Sequence, residues 1–90
     1  STMMDQKQMA KQMVQFNKTA FDNSFKAMTL VSEQNEKMLE AFLAQATWMP
    51  EEGRKAIKDW TESYKKGCED FKRMVDENYA RVEAYFNEAD

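Results

Sequence analysis

Thr47-Trp48-Met49-Pro50-Glu51-Glu52-Gly53 is the stretch that decides the fold. It holds the only proline of the 90-residue chain and one of its two glycines. Pro and Gly are the strongest punctuators of local structure. About 40 proline-free residues run to either side, rich in Ala, Met, Leu, Lys, Glu and Gln and poor in β-branched types, which is a helix-forming composition. A proline at a first helical position followed by two glutamates starts a helix, because the acids complement the positive end of its dipole. Thr47 is the better capping residue if that helix starts slightly earlier. The sequence therefore predicts an all-α chain of one domain over residues 1–90: helix 1 at 6–47, a turn at 48–50 and helix 2 at 50–88. Ser1, Thr2 and Met3 read as a remnant before a start at Met3 or Met4, and residues 1–5 are expected to be disordered.

Working outward, apolar spacing supports both helices. In helix 1, Val14, Phe21, Met28, Asn35 and Phe42 recur every seven residues, with Val31 and Met38 between them. Phe16, Phe25, Leu39 and Leu43 widen this line into the stripe of a bundle helix. In helix 2 the same step gives Ile57, Tyr64, Phe71, Asn78 and Tyr85, completed by Trp60, Met74 or Val75, Tyr79, Val82 and Phe86. The opposite face of helix 1 reads as polar through Lys11, Gln15, Lys18, Asp22, Lys26, Thr29, Glu33, Glu36 and Glu40. Acid-to-base pairs at i,i+4, such as Asp22–Lys26, Glu33–Lys37, Glu69–Arg73 and Glu77–Arg81, stand in the favourable order.

A short joint between long helices makes them antiparallel neighbours, a helical hairpin. Charge agrees. The early part of helix 1 is basic (Lys7, Lys11, Lys18, Lys26) and its end acidic (Glu33, Glu36, Glu40). Helix 2 starts with Arg54, Lys55 and Lys58 and ends with Asp76, Glu77, Glu83, Glu88 and Asp90. Folding at 48–50 sets Glu40 near Lys58 and Glu33 near Lys65.

Composition excludes several functions. The chain has no histidine, which removes the commonest general base and metal ligand and every Ser/His or Cys/His arrangement. One cysteine, Cys68, allows neither an intrachain disulfide nor a CxxC metal site. Two glycines make no phosphate loop. No catalytic, cofactor-binding or metal site is expected, and the chain is not expected to be an enzyme. Net charge of −3 argues against nucleic acid. Mixed-sign polar faces argue against an anionic lipid surface. No transmembrane run or signal peptide is visible, so the cytoplasm is the expected location.

Six Phe, three Tyr, two Trp and eight Met exceed what one two-helix seam buries. The surplus is either the core of a homo-oligomeric bundle, dimer or tetramer, or a surface adaptable to a foreign apolar partner, which Met suits. Trp48 either packs over the end of that bundle or inserts as an exposed anchor. Asn35 and Asn78 either fix register in a core or sit at its edge. Cys68 reads as a small helix residue, with an interchain disulfide as the alternative.

Across residues 11–86, Phe16-Asn17-Lys18-Thr19-Ala20-Phe21-Asp22, the Trp48-Met49-Pro50-Glu51-Glu52-Gly53 joint and Tyr64-Lys65-Lys66-Gly67 through Phe71-Lys72 resemble the phasin family. Phasins are helical proteins that coat polyhydroxyalkanoate storage granules in bacteria. The resemblance implies a non-enzymatic cytoplasmic protein that oligomerises and adsorbs to polyester through apolar helix faces. The expected contacting or self-associating set is Phe21, Phe25, Met28, Phe42, Trp48, Ile57, Trp60, Tyr64, Phe71, Tyr79 and Phe86. Two other roles fit the residues: a helical adaptor completing a bundle with a protein such as a polymer synthase, and a self-assembling four-helix bundle without a foreign ligand.

Overall fold

Helix formers flank a proline, and the chain folds accordingly into two helices. The computed structural model describes residues 2–88. Helix α1 runs Thr2–Gln45 and helix α2 Glu51–Glu88. Residues 2–5, expected outside the helix, are helical. Met3, Met4, Gln6 and Lys7 all favour helix, and Asp5 in the first turn complements its dipole. Ser1, the rest of that expectation, lies outside the described residues, as do Ala89 and Asp90.

Pro50 sets the joint. It has no N–H to give and disfavours helical backbone at Met49, so α2 cannot extend backwards through it. The Pro50 carbonyl accepts the Arg54 N–H at 3.1 Å, which makes Pro50 the capping residue in place of Thr47. The chain turns through Thr47 N–H to Gln45 carbonyl (2.9 Å) and Met49 N–H to Ala46 carbonyl (3.1 Å). No described residue has positive φ, so this turn needs no glycine.

Arg54 locks the joint. The last turn of α1 carries no basic side chain to meet its unpaired carbonyls. The Arg54 guanidinium, from the first turns of α2, donates to the Leu43 and Ala46 carbonyls and, through Nε, to Met49 at 3.3 Å. Leu43 (4% exposed) and Ala46 (3%) are the buried apolar residues among those described, and both lie at this end.

The helices run antiparallel as a rod of 71 × 18 × 10 Å. Its radius of gyration is 20.5 Å, against about 12 Å for a compact globule of this length. The accessible surface is 7457 Å², against about 5,500 Å² for a compact monomer of this mass. About 2,000 Å² of extra surface is therefore left open.

The seam between the helices follows a spacing of eleven, where the apolar pattern suggested seven. Ala10, Phe21, Ser32 and Leu43 form one line of buried and half-buried residues, and Val14, Phe25 and Glu36 another. On α2, Ile57, Cys68 and Tyr79 answer, with Thr61, Lys72 and Glu83, and with Val75 and Phe86. Eleven residues close three turns at about 3.67 per turn, near the undistorted value, whereas a line of sevens drifts about 20° per step. The heptad line accordingly leaves the seam: Met28, Asn35 and Phe42 on α1 and Tyr64, Phe71, Asn78 and Tyr85 on α2 are exposed.

A candidate interaction surface

Lys18, Asp22 and Glu36 were assigned by sequence to the outer polar face, yet they enter the seam. Each finds an opposite charge on α2: Lys18 Nζ–Glu83 Oε1 at 2.9 Å, Lys72 Nζ–Asp22 Oδ1 at 3.2 Å and Lys65 Nζ–Glu36 Oε2 at 3.3 Å. Asp22 therefore pairs across the hairpin, and Arg73 takes Asp70 at i,i+3 (2.8 Å) where Glu69 was expected. The expected neighbours Glu40 and Lys58 line one groove and Glu33 and Lys65 another, as the antiparallel run requires, although Lys65 takes Glu36 as its ion-pair partner.

The ion pairs lie beside aromatic rings. Lys72 also bonds Asp76 at 2.6 Å and sits 6.0 Å and 5.9 Å from the ring centres of Phe21 and Phe25. The Asp76 carboxylate, with Asp22 beyond it, raises the Lys72 pKa above the ordinary lysine value. Hydrogen bonding to Glu83 does the same for Lys18. Phe21 meets Phe71 edge-on at 6.0 Å and also contacts Phe25 and Tyr79. Hydrogen bonding to the Cys68 thiol raises the Tyr64 phenol above its usual value.

With charge drawn into the seam, much of the apolar stripe is left outside it. At about 100° per residue, Met13, Asn17, Ala20, Ser24, Met28, Val31, Asn35, Met38 and Phe42 occupy a sector of α1 roughly a quarter-turn from the seam. Ala56, Trp60, Tyr64, Gly67, Phe71, Met74, Asn78, Val82 and Tyr85 occupy the matching sector of α2. The antiparallel run brings the two sectors to one side of the rod. None of these residues carries a charge. Lys26, Glu33, Lys37 and Glu40 with Lys55, Lys58, Glu62, Glu69 and Arg73 fill the other side. The hairpin is two-faced.

The uncharged face is not flat. Small Ser32 and Thr61 in the seam leave a groove of about 360 Å³ whose walls include Met28, Val31 and Leu39 on one side and Trp60 and Tyr64 on the other. Trp60 and Tyr64 stack at 6.4 Å, yet Trp60 stays 68% exposed. Near the open end of the rod, Met9, Met13 and Phe16 line a shallow apolar depression. At the other end Trp48 projects from the turn, 73% exposed.

The expected contact set thus splits. Phe21, Phe25, Ile57, Tyr79 and Phe86 are half-buried along the seam. Met28, Phe42, Trp60, Tyr64 and Phe71 stand on the open face, and Trp48 on the tip. That set lacked Met13, Val31, Met38, Met74, Val82 and Tyr85, which complete the open face, although a line drawn at 4-3-4-3 spacing from Trp60 would have found Met74 and Tyr85. It also lacked Arg54, whose i−8 and i−11 acceptors lie beyond any local spacing rule.

Among the described residues no group of three potential metal ligands occurs, and no helix is long and apolar enough to cross a membrane. The chain matches no protein-family model, no curated protein and no solved structure.

Proposed function

We propose that this chain is a phasin-like, non-enzymatic coat protein that adsorbs to the surface of cytoplasmic polyhydroxyalkanoate granules and keeps them dispersed. The observation that carries this reading is the uncharged face running the length of the hairpin, backed by a charged one. Adsorption removes apolar surface from water on both partners at about 25 cal/mol per Å². Large exposed apolar patches of this kind mark interaction sites. The contacting side carries no charge outside the groove, where Glu36 and Lys65 are paired with each other. Little unpaired charge need therefore be desolvated, which suits a neutral polyester better than an anionic phospholipid. The outward Lys and Glu side chains would then repel neighbouring granules and stop their coalescence. In the absence of granules the same face supports self-association, as a dimer or tetramer.

Co-sedimentation with polyhydroxybutyrate particles tests the proposal, with polystyrene and phospholipid vesicles as comparison surfaces. Saturable binding to polyester, lowered at least tenfold by Trp60→Ser combined with Phe42→Ser in a variant that stays helical, is the expected result. Equal uptake on polystyrene would reduce the proposal to generic surface activity, and no binding to any surface would refute it.

A further inference from the structure

We infer that the uncharged face has one defined protein occupant, a second copy of this chain lying face to face and antiparallel, with its hairpin tip over the open end of the first. This deepens the self-association proposed above and rests on reading the open face as a surface that is covered.

Area is the first support. A stable interface buries about 800 Å² per partner. The rod exposes roughly 2,000 Å² more than a compact monomer of its mass, so one face can supply that area.

Polar breaks on the face give the register. The ion pairs Glu36–Lys65 and Lys18–Glu83 fix which residues of the two helices lie level. In that frame the uncharged face has two steps, levels at which both helices present a polar or small residue. These are Asn35 with Gly67 nearer the tip and Ser24 with Asn78 farther from it, whereas Asn17 and Ala20 lie level with Tyr85 and Val82. Turning a second hairpin end for end about the level of Thr29 lays one step on the other. Asn35 and Gly67 of each chain then share a layer with Ser24 and Asn78 of the partner subunit. A buried asparagine costs stability but specifies register, and this placement gathers the polar side chains of both chains into shared layers.

Charge selects the antiparallel direction. Residues 33–70, the tip half, hold nine acids and six bases, and the rest of the chain is balanced, so the tip half carries the whole net charge of −3. A parallel pair would stack two such halves, while an antiparallel pair holds them at opposite ends. The same arrangement brings the exposed Trp48 of each tip to the apolar depression at Met9 and Met13 of the partner subunit.

A nitroxide label on Lys55→Cys, in a Cys68→Ser background, reads the arrangement directly, because residue 55 lies near the tip on the charged face. Pulsed dipolar spectroscopy on the full chain should give one inter-label distance on the order of 50 Å, from about 34 residue levels at ~1.5 Å each. Sedimentation should give a dimer. A distance below about 30 Å would overturn the antiparallel direction. A monomer without dipolar coupling would overturn self-pairing, while polyester adsorption, measured separately, would still report on the coat reading. Asn35→Leu should retain the dimer but broaden the distance distribution as register is lost. An unchanged, narrow distribution would overturn the role given to the asparagines.

Discussion

The seam and the open face of this hairpin both carry apolar side chains, and they differ in charge. The seam, which is the helix–helix contact, is laced with Lys18, Asp22, Glu36, Lys72 and Glu83, each paired across or along the helices. The open face, which is largely exposed, carries Met28, Phe42, Trp60, Phe71 and Met74, none of them charged. A chain selected only to hold two helices together would place these the other way round. Paired charges settle orientation and register at little gain in stability, whereas apolar area provides the driving force for association. The difference teaches that the hairpin specifies its own shape electrostatically and holds its apolar surface for something else.

Substitutions can break this contrast, and the largest effect is expected at the one place where the hairpin does bury apolar groups. Leu43→Ala should cost about 2–4 kcal/mol in urea unfolding followed by circular dichroism. At a dilution where sedimentation shows monomer, Met38→Ala, at a residue 69% exposed, should change stability by less than about 0.5 kcal/mol. Equal losses at the two sites would mean that the open face is already covered or that the tip is not the core.

Arg54→Met keeps the aliphatic stem and removes the donors that close α1. It should cost about 2 kcal/mol and speed amide exchange in the last turn of α1, leaving residues 10–25 unchanged. A loss spread evenly along α1 would show that the guanidinium is not acting as a local cap.

The seam charges give a pH test. Lys18 and Lys72 have pKa values raised in the fold by Glu83 and by Asp76 with Asp22. Their stabilisation is fully present below the unfolded value of about 10.5 and is lost as pH rises through the higher folded values. Helicity and thermal midpoint should hold to about pH 10 and fall above it, and a Lys18→Met, Lys72→Met double variant should flatten that fall. An unflattened profile would place the alkaline transition elsewhere.

The smallest effect is expected at Gly67. A β-carbon there would meet nothing of the same chain within 4 Å, so at a dilution where sedimentation shows monomer Gly67→Ala should raise hairpin stability by about 0.5–1 kcal/mol through helix propensity alone. A loss in the monomer would contradict the open setting of Gly67 in the hairpin.

The two helices and their antiparallel run were legible because Pro50 stands alone between helix formers and because the charges reverse sign along each helix. The rotational setting was not. Val14, Phe21 and Met28 fit a spacing of seven as well as Ala10, Phe21, Ser32 and Leu43 fit eleven, and hydrophobicity favours the first. In the second, Lys18, Asp22 and Glu36 turn inward and meet opposite charges on α2, a long-range condition no local window contains. Arg54 was illegible for the same reason, since its acceptors Leu43, Ala46 and Met49 lie at the end of the preceding helix and in the joint.

Hydroxyl-radical footprinting, read by mass spectrometry, tests the central claim most directly. It should compare chain adsorbed on polyhydroxybutyrate particles with free chain at a dilution where sedimentation shows monomer. Oxidation of Met28, Trp60, Tyr64 and Met74 should fall several-fold on adsorption, while Met3 and Met4 at the open end keep their reactivity. If those four open-face residues stay as reactive on the particle as in the free monomer, the uncharged face is not the working surface of this protein.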